Sequence, residues 1–123
     1  MATILIADDD EDLNELVAMK LEAAGHAVVS VFDGEAALAR AVADHPDLVV
    51  LDWMLPRRNG LEVCRDIRSD PGLATTRVLM LTARAQEVDV ERAFAAGAEE
   101  YVTKPFSPRE LLLRVTALLA RPR

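Results

Sequence analysis

The chain has a single cysteine, Cys64, so no internal disulfide can form and the fold must stand without covalent staples. No apolar run approaches the ~20 residues that a membrane-spanning helix needs, so a soluble protein without membrane contact is expected. A secretory leader is not expected either, because the N-terminus enters a strand almost at once, with no basic stretch or small-residue cleavage site. These absences favour the cytoplasm. Positive charge is also in short supply: 14 Lys and Arg face 21 Asp and Glu, a net charge of −7. Aromatic residues make up only 4%, and no basic stripe with interleaved aromatics occurs, so direct contact with nucleic acid by this domain is not expected. Were the protein to act on DNA, another domain would have to make the contact.

The 123 residues suffice for one domain with its own core, taken as residues 1–120, with 121–123 opening a linker or forming a free end. Hydrophobic residues at 51% and charged ones at 28% are ordinary for a globular chain and argue against disorder.

Five short β-rich runs alternate with helical patterns, the mark of stacked βαβ units around a parallel sheet. Thr3–Ala7 reads as the first strand, followed by helical spacing through Leu13, Leu16, Val17, Leu21 and Ala24 up to Gly25. Ala27–Val31 is the second strand, and Asp33 then caps a helix with Ala37, Leu38, Ala41 and Val42 on its apolar face, closed by His45-Pro46-Asp47. Leu48–Leu51, apolar without alternation, reads as a central strand covered on both faces. A loop over residues 53–59 leads to a helix over 60–68 with Leu61, Cys64 and Ile67 inward, and Ser69-Asp70-Pro71-Gly72 breaks it. A fourth strand follows over 78–81, a helix over 87–96 and a fifth strand over 101–103. Ser107, Pro108 and Glu110 form a capping box for the last helix, whose stripe is Leu111, Leu112, Val115, Leu118 and Leu119.

In open parallel sheets, ligands bind beyond the carboxyl ends of the strands. Four of those ends carry polar residues here: Asp8 and Asp9, Asp52, Thr82 and Lys104. If the first and third strands are neighbours, three carboxylates converge. At about 4 Å and an effective dielectric near 20, each pair repels by roughly 4 kcal/mol. A fold has no need of that arrangement, so it points to a divalent cation, and hard oxygen ligands suit Mg²⁺.

The stretches Ile4-Leu5-Ile6-Ala7-Asp8-Asp9-Asp10, Leu51-Asp52-Trp53-Met54-Leu55-Pro56 with Asn59-Gly60, Leu81-Thr82-Ala83 and Tyr101-Val102-Thr103-Lys104-Pro105-Phe106 resemble the receiver domain of two-component response regulators. The resemblance implies an α/β fold, a (βα)5 doubly wound sandwich with helices on both faces of a five-stranded parallel sheet of order 2-1-3-4-5. It implies that Asp52 accepts a phosphoryl group, that Asp8, Asp9, Asp52 and the Met54 carbonyl hold Mg²⁺, and that Lys104 pairs with the phosphoryl group. Thr82 would be the switch hydroxyl, Ala83 would leave it room, and Tyr101 would turn inward with it. A cis Lys104–Pro105 bond is likewise implied. Such a domain is not an enzyme for an external substrate, since it catalyses only its own phosphorylation and dephosphorylation. The implied partners are a sensor histidine kinase or a histidine phosphotransferase. The stretch from Lys104 to Leu111 resembles receivers that precede a winged-helix DNA-binding domain and form homodimers through the fourth helix, fifth strand and fifth helix. Glu100 and Arg114 stand where that dimer carries an intersubunit ion pair, whereas Val90, Ala95 and Thr116 replace charged residues common there.

Other readings fit the residues less well. A haloacid-dehalogenase-type phosphatase would carry a second Asp two residues after Asp52, where Met54 stands. An FMN carrier would need a phosphate-wrapping loop where Asp8-Asp9-Asp10 would repel one. A stand-alone receiver serving as phosphorelay intermediate or interaction module is the alternative to the front part of a transcriptional regulator. Met54 and Arg84 lie beside the path expected for attacking water, and so bear on the lifetime of the phosphorylated form. His26 and His45 read as structural, Cys64 as an inert core thiol, and Asp10, Glu11 and Asp12 as serving the first helix's positive end. Trp53 reads as an exposed loop residue and a candidate contact for a kinase or phosphotransferase.

Overall fold

In the computed structural model, residues 1–122 are described. Strands and helices alternate: β1 Thr3–Ala7, α1 Glu11–Ala23, β2 Ala27–Val31, α2 Gly34–Asp44, β3 Leu48–Leu51, α3 Gly60–Ser69, a 3-10 turn Pro71–Leu73, β4 Arg77–Thr82, α4 Glu87–Ala95, β5 Glu100–Thr103 and α5 Pro108–Ala120. The strands form one all-parallel sheet of order β2-β1-β3-β4-β5. Of the terminal segment read as a linker or free end, Arg123 lies outside the described residues.

Period-two alternation along the strands sends side chains to two cores. Leu5, Val49, Val78 and Met80 face Ala37 and Ala41 of α2, Leu61, Cys64 and Ile67 of α3, and Ala93 of α4. Ile4, Ile6, Val50, Leu79 and Leu81 face Val17 and Leu21 of α1 and Leu111, Val115 and Leu118 of α5. Helices on both faces explain why β3 and β4 are buried at every residue. Among the described residues, no helix is long and apolar enough to cross a membrane.

Capping fixes where most helices begin. Asp10, Asp33, Asn59 and Ser107 each accept a hydrogen bond from the backbone N–H three residues on. The expected box on α5 is half built: Ser107 caps Glu110 N at 2.9 Å, while the Glu110 carboxylate reaches Arg114 at 3.5 Å. His45 ends α2 in the left-handed region, and His26 Nδ1 accepts from Ala2 N at 3.1 Å.

Two expectations about burial fail. Leu16 on α1 and Val42 on α2 are exposed, because each helix touches the sheet along a narrower stripe than its apolar residues span, and Ala24 is exposed just past the end of α1. Trp53 is buried, 4% exposed, because residues of α4 and the loop before it cover its ring. The breaker after α3 is itself ordered, with Asp70 Oδ1 accepting from Gly72 N to start the 3-10 turn.

Candidate functional site

Register brings the acids together. Ala7 pairs with Leu51, so the residues that follow, Asp8 and Asp52, leave adjacent parallel strands at the same edge. Oxygen atoms of Asp8, Asp9 and Asp52 lie within 4.8 Å of one another. Asp8 and Asp52 are buried and Asp9 is exposed, which gives the cluster one open side.

Lys104, at the end of β5, bridges two of them. Its Nζ stands 2.9 Å from Asp8 Oδ2 and 2.9 Å from Asp52 Oδ2. The contact with Asp52 is a hydrogen bond; the one with Asp8 is an ion pair lying off the hydrogen-bond direction, which leaves Asp8 Oδ2 buried with no hydrogen bond aimed at it. The remaining carboxylate oxygens accept from the backbone: Asp8 Oδ1 from Asp10 N at 3.0 Å, Asp52 Oδ1 from Met54 N at 3.1 Å. The Lys104 N–H donates to Thr82 O at 2.8 Å, which registers the end of β5 against β4, and the Lys104–Pro105 bond is cis.

Charge and burial compete at this edge. Burial raises the Asp8 pKa above its ordinary 3.8, against the lowering effect of Lys104 and of the Asp10 N–H. For Lys104, burial alone would lower the pKa, but its contacts with Asp8 and Asp52 outweigh it and the net shift is upward. An acid whose pKa is higher folded than unfolded prefers to be neutral in the fold. Its stabilising contribution is therefore intact below 3.8 and is lost as pH rises through the folded value. Asp8→Asn is accordingly expected to melt higher than the parent at pH 7 in the presence of a chelator, with the gap closing towards pH 3; thermal unfolding at both pH values checks this.

Thr82 is fully buried at the end of β4, and its Oγ1 accepts from Arg84 N at 3.3 Å. Tyr101 is half-buried on β5 and is not in the acid cluster; its hydroxyl donates to Arg84 O at 2.6 Å. Burial raises its pKa, and the nearby Asp89 carboxylate adds to the rise. The Met54 side chain is exposed, with Sδ 3.8 Å from Arg84 Nη1. Glu100 and Arg114, read as an intersubunit pair, meet within one chain at 3.3 Å.

The loop over residues 53–59 that follows Asp52 is clamped by two glycines. Gly34 N donates to Pro56 O at 3.1 Å and Gly60 N to Trp53 O at 2.8 Å, approaches that leave no room for a Cβ at either position. Two polar residues outside the sequence reading also hold the fold. Asn14 is buried, and its amide donates to Asp8 O at 3.0 Å and Val31 O at 2.9 Å, tying α1 to the ends of β1 and β2. Its signal was an amide in line with Val17 and Leu21 on an otherwise apolar stripe. Arg77 is buried at the opposite end of β4, donating to Leu118 O at 2.5 Å and to Arg121 O. The clue was that α5 has no basic residue in its last turn to meet its free carbonyls.

The family model of the response regulator receiver domain matches residues 4–116. The alkaline phosphatase synthesis transcriptional regulatory protein PhoP of Bacillus subtilis (strain 168) is 45% identical over 118 residues, covering 96% of this chain and 48% of that protein. The chain thus spans about half the length of that relative. Among solved structures, a putative response regulator from Chloroflexus aurantiacus superposes with a TM-score of 0.91 at 38% identity, covering 98% of each chain. The BeF3-activated DrrB receiver domain superposes with a TM-score of 0.88 at 39% identity, covering 98% of this chain and 99% of that one. With the predicted strand order and a strand-end acid cluster bridged by one lysine, the chain belongs to the response regulator receiver domain family.

Proposed function

We propose that the domain accepts a phosphoryl group on Asp52 from a phosphohistidine of a sensor kinase or phosphotransferase, and that the modified form controls an output. The observation that carries this reading is the single ammonium of Lys104 held 2.9 Å from both Asp8 and Asp52, within a cluster of three acids. An Asp52 oxygen attacks phosphorus, the new O–P bond forms as the N–P bond breaks, and the imidazole leaves with the electron pair. Lys104 pairs with the charge on the transferring oxygens. Thr82 and Tyr101 read the product, the first through its hydroxyl and the second through its bond to the Arg84 carbonyl.

The residues fit a Mg²⁺ ion. Asp8 Oδ2 is a buried anionic oxygen without a hydrogen bond, and two further carboxylates lie beside it. Asp8, Asp9, Asp52 and the Met54 carbonyl would hold the ion, which when bound supplies neutralisation of the acids and of the phosphoryl oxygens.

On this reading the domain turns over no external substrate and is not an enzyme in that sense. It works in the cytoplasm, where its kinase partner presents phosphohistidine. The relative's name, a transcriptional regulatory protein, supports an output through DNA bound by a segment other than this domain, with pairing of two copies through α4, β5 and α5. The test is incubation with acetyl phosphate and Mg²⁺, read by intact mass. One phosphoryl group is expected on the parent, and none on Asp52→Asn or on the parent in chelator; modification elsewhere, or uptake without a divalent ion, overturns the assignment. A BeF3 adduct, as in the DrrB structure, is expected under the same conditions.

A further inference from the structure

Trp53, the sole tryptophan, is covered by two cations: Arg84 Cζ lies 4.6 Å from its ring centroid and Arg92 Cζ 5.4 Å. Arg84 is held from several sides. Its Nη2 pairs with Asp89 Oδ1 at 3.0 Å, its Nη1 meets Met54 Sδ at 3.8 Å, and its carbonyl receives the Tyr101 hydroxyl at 2.6 Å. Its Nε is buried without a hydrogen bond, an arrangement that a guanidinium plane laid on an indole tolerates. Two guanidinium groups near one ring repel each other, and the buried Asp89 carboxylate, paired to Arg84, offsets that repulsion.

The other attachments of α4 are weak. Among the described residues it is the one α-helix whose N-cap, Gln86, makes no side-chain hydrogen bond. It buries only Asp89 and Ala93. A helix without a cap and with little apolar burial opens at low free-energy cost, so lateral contacts decide where it sits.

We propose that Trp53, Arg84, Asp89 and Arg92 form a clasp that ties α4 to the loop following Asp52, with Arg84 and Arg92 acting as positioning residues. The seat of α4 then follows the state of Asp52 through one aromatic ring. Only the second half of this inference rests on the phosphorylation reading.

The test uses amide hydrogen exchange across Glu87–Ala95 in the unmodified protein. Arg92→Met and Arg84→Met are each expected to raise exchange in α4 about tenfold while α5 stays unchanged. Arg92→Lys restores part of the protection, and Trp53→Leu added to the Arg84→Met, Arg92→Met pair brings no further rise. Unchanged exchange in both methionine variants, or a further rise when Trp53→Leu is added to the pair, overturns the clasp. In a second arm the parent and Arg92→Met are treated with acetyl phosphate and Mg²⁺, with intact mass as the measure of modification. Both are expected to be modified, with α4 exchange and Trp53 emission changing together in the parent and independently in Arg92→Met. Concerted changes in Arg92→Met count against the coupling. A missing mass gain strikes the phosphorylation reading alone, since the unmodified protein still decides the clasp.

Discussion

Lys104→Met is expected to slow phosphoryl uptake from acetyl phosphate by ~10²-fold, the loss that follows removal of one fixed charge-stabilising donor from a reacting centre. The methionine keeps the length and the packing but leaves Asp8 and Asp52 facing each other without the ammonium that bridges them at 2.9 Å. Breaking a buried pair from one side costs about 3–5 kcal/mol when the remaining charge finds no other partner. Without a divalent ion the variant should therefore melt well below the parent, and Mg²⁺ should recover more stability for it than for the parent. Lys104→Arg would not restore the rate, because one compact ammonium reaches both acids and a planar fork spreads its charge over a wider arc. Rates followed by intact mass at saturating Mg²⁺, with melting curves in chelator and in Mg²⁺, check both halves. A rate within twofold of the parent would mean that Lys104 serves folding alone.

Gly60→Ala is expected to cost about 3 kcal/mol or more of stability and to lower phosphoryl uptake with it. A Cβ at that position would sit 2.0 Å from Asp52 O and 2.8 Å from the Cα of Trp53, atoms of the main chain that cannot swing aside. The hydrogen bond from Gly60 N to Trp53 O would break as α3 backs away, and the loop carrying Met54 N, which holds Asp52 Oδ1, would move with it. Denaturant titration gives the first effect and intact-mass kinetics the second. Gly25→Ala is the control: nothing lies within 4 Å of its Cβ, so its cost is confined to its positive φ of 98° and the site should work normally.

The sheet and the acid cluster were legible because both depend on local pattern. Apolar runs of strand length end in Asp8, Asp52, Thr82 and Lys104, and the parallel register then puts those ends on one edge. Pairwise packing between distant segments was not legible in the same way. Trp53 follows Asp52 in a loop that goes on to Pro56, Arg57, Arg58 and Asn59, so position alone made it exposed. Its cover comes from Arg84 and Arg92, more than thirty residues on in the sequence, which no periodicity links to it. Leu16 and Val42 fail for the opposite reason: helical spacing counts apolar residues near a face, and the width of the stripe in contact with the sheet decides how many of them are covered. Glu100 and Arg114, placed by the resemblance at a dimer face, stand 3.3 Å apart within the single chain.

Arg77 has a mechanical consequence. Its guanidinium grips the carbonyls of Leu118 and Arg121, while the opposite end of α5 starts at Ser107, just past the cis proline beside Lys104. With its tail pinned, any tilt of the helix must swing its head, like a lever on a pivot. Over 13 residues at ~1.5 Å each, a tilt of about 10° would carry Ser107 through about 3 Å and leave Arg121 almost still.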